Sequence, residues 1–122
     1  MKALKVTTAD EITVVEVEQP LYRSLNPVIG GPLEIVRPRG LKRPFVMVVD
    51  EEGLLRDRDL NFVGSILYET HKHGSPIVGD IVLMREEPGP EGYDLFGLSE
   101  QDITALTSSC KCILAQRKKG AK

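Results

Sequence analysis

Phe45-Val46-Met47-Val48-Val49 and Ile77-Val78-Gly79-Asp80-Ile81-Val82-Leu83-Met84 are the two runs whose reading decides the fold. Both are rich in β-branched residues and bounded by Gly, Asp or Asn, the pattern of strands rather than helices. Between them, Asp50-Glu51-Glu52-Gly53 reads as a hairpin loop with Gly53 in a left-handed position, and Arg56-Asp57-Arg58-Asp59 reads as a solvated crossing. Phe62, Val63, Ile66 and Leu67 share a helical face, so 62–68 is expected as a short helix with Asn61 as its N-cap. His71-Lys72-His73-Gly74 is expected as a loop leading into the second run, the last long strand.

Outward toward the N-terminus, Leu4 and Val6 alternate with polar residues, and Ile12 to Val17 repeats the strand signal. These form an expected hairpin. Pro20 suits the first turn of a helix whose face is Leu21, Leu25 and Val28, shortened by Pro27 and ended by Gly30-Gly31. Leu33-Glu34-Ile35-Val36 is a short strand.

Toward the C-terminus, Glu86 to Gly92 reads as a loop by composition. Ser99-Glu100-Gln101-Asp102 has the spacing of a capping box with aspartate in place of glutamate, and Leu98 and Ile103 stand where a hydrophobic staple packs. Ile103, Leu106 and Cys110 continue the helical face, with Thr107-Ser108-Ser109 expected to end it. The expected fold class is α+β: a mainly antiparallel sheet of about five strands with short helices and a C-terminal helix packed on one face. Residues 1–110 form one expected domain and 111–122 a basic C-terminal tail, of which the last six residues, Arg117 to Lys122, are expected to be disordered.

The 122 residues suffice for one domain with a modest core. Net charge is −2, which gives the whole chain no pull toward nucleic acid or an anionic membrane. The charge is uneven. Lys111, Arg117, Lys118, Lys119 and Lys122 place five cations on the last twelve residues, and the first 110 carry −7, the −2 total less those five. Cys110 and Cys112 are too close for a relaxed disulfide, so a secreted disulfide scaffold is disfavoured. Cys110 is expected as a small buried hydrophobe and Cys112 as incidental. Met1-Lys2-Ala3-Leu4-Lys5-Val6 lacks a signal-peptide core, and no apolar run reaches the ~18 residues of a membrane span. The expected setting is soluble and cytoplasmic.

The order of elements resembles the phage and plasmid domain-of-unknown-function family numbered three thousand eight hundred and forty-six. The resemblance is carried by Met1-Lys2-Ala3-Leu4, Ile29-Gly30-Gly31-Pro32-Leu33-Glu34-Ile35-Val36 and Val48-Val49-Asp50-Glu51-Glu52-Gly53. It continues through Leu60-Asn61, Leu67-Tyr68, His73-Gly74-Ser75-Pro76-Ile77-Val78-Gly79-Asp80 and Leu98-Ser99-Glu100-Gln101-Asp102-Ile103. Pro27 and the extension from Cys110 depart from the family pattern. The resemblance implies a compact α+β protein of mobile elements, with no assigned activity and no functional residues to carry over.

The chemistry-bearing residues are few. Arg37, Arg39, Lys42 and Arg43 place four cations and no acid on a connector between strands, suited to gripping phosphate or carboxylate. Asp80, between apolar neighbours, is a candidate if its carboxylate turns inward, and Asn61 is a cap with a ligand-facing amide as the minority reading. His71 and His73 are an alternative metal pair with Asp80, and Cys110 and Cys112 a weak one. Asp50-Glu51-Glu52 could hold a hard cation or act as acid and base, but suits a turn better. Gly30-Gly31-Pro32 lacks the helix and Lys of a phosphate loop.

The expected function is a non-enzymatic accessory protein of a phage or mobile element. It would bind a host protein or a small anionic ligand through Arg37, Arg39, Lys42 and Arg43, without a cofactor and without a membrane. Open sheet edges suggest a homodimer. The alternatives are a metal-dependent enzyme using His71, His73 and Asp80, and a nucleic-acid-binding accessory acting through the basic tail.

Overall fold

The structure, a computed structural model, describes residues 1–90 and 92–120, with the side chains of 71, 73 and 118–120 outside the description. The strands are β1 (Lys2–Val6), β2 (Ile12–Glu16), β3 (Leu33–Val36), β4 (Phe45–Asp50), β5 (Ile81–Gly89) and β6 (Gly92–Phe96). The helices are α1 (Leu21–Ile29), α2 (Phe62–Tyr68), α3 (Thr70–His73) and α4 (Glu100–Gly120). The sheet order is β2-β1-β5-β4-β3, with β6 also on β5, and every pairing is antiparallel. The fold class is therefore α+β.

The two deciding runs pair with each other at the centre, Val46 opposite Met84 and Val48 opposite Val82. Both are covered on both faces, which is why they are almost continuously apolar instead of alternating. On one face Leu4, Met47, Val49, Ile81 and Leu83 pack with Val63 and Leu67 of α2 and Leu106 and Cys110 of α4. On the other, Ala3, Val48, Val82 and Met84 pack with Leu25 and Ile29 of α1.

Several boundaries differ from the sequence expectations. No hairpin follows β4: residues 51–57 form successive turns, and β4 pairs with β5 and β3. Gly53 lies outside the left-handed region. A Cβ there would come within 2.8 Å of Val78 Cγ2, so close approach is what the position requires. The second run becomes strand only at Ile81, because Gly79 (φ 80°) turns the chain after the Leu60–Val78 bridge. The expected loop at Glu86–Gly92 is instead the far end of β5 and its hairpin into β6. Pro88 is tolerated because β4 stops pairing at Arg85, leaving one side of β5 without a strand beyond it. The backbone of 71–73 is a helical turn, not loop or strand.

Pro20 is the N-cap of α1 and not part of its first turn, while Pro27 falls within α1. That helix ends two residues later at Ile29, capped by Gly30 (φ 87°), so Pro27 removes one ladder bond near the terminus and interrupts nothing long. The capping box is present: the Ser99 N–H donates to Asp102 Oδ2 at 2.9 Å and the Asp102 N–H to Ser99 Oγ at 3.1 Å. Leu98 and Ile103 meet in the same core. The helix does not end at Thr107-Ser108-Ser109, because its buried face continues through Ile113 and Leu114. Arg117, expected in a disordered tail, lies in α4. Its guanidinium stacks 4.6 Å from the Phe62 ring centroid and donates to Asp10 Oδ2 at 2.7 Å. Among the described residues, no helix is long and apolar enough to cross a membrane.

Burial pushes the Cys110 thiol up to about 11, so it stays protonated at neutral pH, whereas Cys112 is exposed. Iodoacetamide at pH 8 is expected to label Cys112 alone in the native protein and both thiols after unfolding, as counted by mass spectrometry. The Ser99 N–H, then the Ser99 hydroxyl and Arg85, hold the Asp102 carboxyl below its usual range. Its stabilising contribution is present above the unfolded aspartate value of about 3.9 and is lost as pH falls through the lower folded value. Asp102→Asn is expected to flatten that part of the acid limb in urea titrations from pH 6 to pH 2.

Candidate ligand-binding cleft

Along β5 the side chains alternate faces, so Val82, Met84, Glu86 and Pro88 form one stripe. Val82 and Met84 lie in the core beneath α1, and the next position is a carboxylate. Register carries Val46 and Pro44 beside this stripe from the β4 side, the Glu86 N–H donating to Pro44 O at 2.8 Å. It carries Tyr93 and Leu95 beside it from β6. Arg37, the first residue after β3, arrives from the same side. The result is a cleft of about 260 Å³ lined by Arg37, Arg43, Pro44, Phe45, Val46, Glu86, Glu87, Pro88 and Tyr93. Its exposed walls are mainly apolar, and its four charged residues balance, Arg37 and Arg43 against Glu86 and Glu87.

Glu86 is only 8% exposed. Its Oε1 accepts a hydrogen bond from Arg37 Nη2, and its Oε2, also buried, has no hydrogen-bond partner. This pairing holds the Arg37 guanidinium above its ordinary value, firmly charged. Glu87 pairs with Arg85, which also reaches Asp102. Arg43 is an exposed lining cation with no ion pair among the described residues. Among the described residues, the cleft therefore offers an apolar surface, one cation without an ion pair, and one buried acceptor without a donor.

Of the residues singled out in the sequence, Arg37 and Arg43 meet here. Arg39 and Lys42 are exposed on the same connector but do not line the cleft. Asn61 is a fully buried cap, its Oδ1 accepting from Gly64 N–H and its Nδ2 donating to Val6 O and Gly79 O. Asp80 lies at the head of β5, beyond the core face. Its Oδ1 accepts from the Thr8 N–H at 3.1 Å, and its Oδ2 faces Lys5 Nζ at 3.6 Å. It borders a separate polar cleft with Arg56 and Arg58.

The side chains of His71 and His73 lie outside the described residues, as do those of Lys118, Lys119 and Lys122 in the basic tail. Among the described residues no group of three His, Cys, Asp or Glu side chains could hold a metal ion. The acidic run at 50–52 does not converge either. Asp50 turns inward between Arg56 and Arg58 at 3.5 and 3.4 Å, against Gly31, where a Cβ would come within 2.7 Å of its carboxylate. Glu52 instead pairs with Arg56 on the surface.

Glu86 and Tyr93 were missed because Glu-Glu-Pro-Gly-Pro-Glu-Gly has loop composition. The available signal was the period-two stripe running unbroken from Val82 through Glu86.

Fold and cleft together define a small α+β domain with one antiparallel sheet, helices on both faces and a cleft at the end of the sheet. The chain belongs to the family described as "Domain of unknown function (DUF3846)", whose model matches residues 1–110. Comparison with curated proteins and with solved structures gave no match.

A buried carboxylate with one oxygen unsatisfied contributes little to folding. Glu86→Leu, which extends the apolar stripe, is expected to leave stability unchanged or raise it by about 1 kcal/mol in urea titrations. A loss of more than about 2 kcal/mol would make Glu86 a structural group.

Proposed function

We propose that this chain is a small, non-enzymatic accessory protein of a phage or other mobile element that binds a small anionic ligand in the Arg37–Arg43 cleft. The observation that carries the reading is Arg43, a lining cation with no ion pair among the described residues, beside an apolar wall of Pro44, Val46 and Pro88. Cations on apolar surface hold an anion more firmly than the same charges in open water, because solvent screens them less. Arg39 and Lys42 on the same connector add to the attraction at longer range. The mobile-element setting rests on the family resemblance alone.

A small ligand has more support than a host protein. The cleft is a concave site of about 260 Å³, a shape and size that take a small molecule, whereas a stable protein contact is a broad surface of ~800 Å² per partner. Dimerisation through the outer edges of β2 and β3, the end strands of the sheet, belongs to the same reading.

Thermal shift against nucleotides, cyclic dinucleotides and small carboxylates tests the ligand. A binding anion at a hundred times its Kd is expected to stabilise the fold by about 2.7 kcal/mol, and Arg43→Ala to weaken that anion at least tenfold. A panel in which no anion raises Tm overturns the reading. Size-exclusion chromatography with light scattering is expected to show a dimer; monomer at all concentrations removes that part.

A further inference from the structure

We infer that the ligand of this cleft is a guanine mononucleotide, its base on Glu86 and its phosphate on Arg43; this rests on the anionic-ligand reading above and names the chemistry of the other end. Glu86 is the observation that the anion alone leaves unexplained. It is a carboxylate more than nine-tenths buried, lining the cleft, with Arg37 on one oxygen and no hydrogen-bond donor on the other. A simple anion would be repelled by it. The ligand that fits carries N–H donors at one end and negative charge at the other.

The walls restrict the body between those ends. Pro44, Pro88 and Tyr93 present rings rather than flexible chains, and Tyr93 is largely exposed at the lip. Flat faces of this kind suit a planar aromatic ring. The volume is at the low end for small-molecule sites, ~300–1,000 Å³, which suits one base with its sugar facing solvent and not a dinucleotide.

The carboxylate then selects among bases. Guanine places N1–H and the 2-amino group side by side, one donor for the unpartnered Oε2 and one for the second lone pair of Oε1, whose first is taken by Arg37. Adenine and cytosine set an acceptor beside the exocyclic amine, which a carboxylate repels. Hypoxanthine keeps N1–H and lacks the 2-amino group. Arg37 holds Glu86 Oε1 in place, so the carboxylate plane is set before the base arrives.

Isothermal titration calorimetry of the full chain with GMP, IMP, AMP and inorganic phosphate decides the matter. GMP is expected to bind at least tenfold tighter than IMP and AMP, and phosphate alone more weakly than any of them. Glu86→Gln is expected to erase the preference for GMP while Arg43→Ala weakens GMP and AMP alike. Equal affinity of the wild-type chain for GMP, IMP and AMP overturns the guanine assignment and leaves the anion reading standing. Binding of a non-nucleotide anion with no response to GMP does the same, and no binding of any anion overturns both. The wild-type comparison of GMP with IMP needs no variant to fold.

Discussion

Asn61 is completely buried, and its one carboxamide reaches three parts of the chain that are far apart in sequence. Its oxygen caps the first turn of α2. Its nitrogen holds the carbonyl at the end of β1 and the carbonyl of Gly79, where the chain turns toward β5. Its own N–H donates to Ile77 O, and its carbonyl accepts from Ser65 N–H. No water is available at such depth to substitute for a missing partner, so each group must find its bond inside the protein. The position of α2 over the sheet and the point at which β5 begins are thereby linked to a single side chain.

Two carboxylates are buried in this sheet, and their environments differ. Asp50 accepts from the Glu52 N–H, lies between Arg56 and Arg58, and is pressed against Gly31. Those arginines also donate to Gly30 O, so the cluster ties the 51–59 segment to the end of α1. Glu86 has one arginine, itself half exposed, and lines an open cleft. A charge buried without full compensation lowers stability. Each leaves one oxygen without a hydrogen-bond partner, but Asp50 Oδ2 has two guanidiniums within 3.5 Å, whereas Glu86 Oε2 has no second cation beside it among the described residues.

The long C-terminal helix shows how contacts distant in sequence decide a local outcome. Thr107-Ser108-Ser109 is a weak helical stretch by propensity. Leu106 before it, and Cys110, Ile113 and Leu114 after it, all pack on the sheet face shared with α2. Arg117 then closes against Phe62 and Asp10, joining α4 to the start of α2 and to the β1–β2 turn. A ring stack and an ion pair thus anchor this part of α4 to the rest of the fold.

The strands β1 to β4, the helix α2 with its Asn61 cap and the Ser99–Asp102 capping box were all legible in the chain. Each is encoded within a few neighbouring residues, by short β-branched or alternating apolar runs or by cap spacing. The basic connector was legible as charge. Its sorting into Arg37 and Arg43 at the cleft and Arg39 and Lys42 away from it was not, since that depends on which strand lies beneath. Nor did local composition disclose that Glu86 and Tyr93 belong to a hairpin, because Pro and Gly signal a loop wherever no flanking strand is known. Short-range rules thus determined the elements and the class of fold. Only the antiparallel register of β4, β5 and β6 decided which charged groups share one face, because that register brings together residues that are remote along the chain.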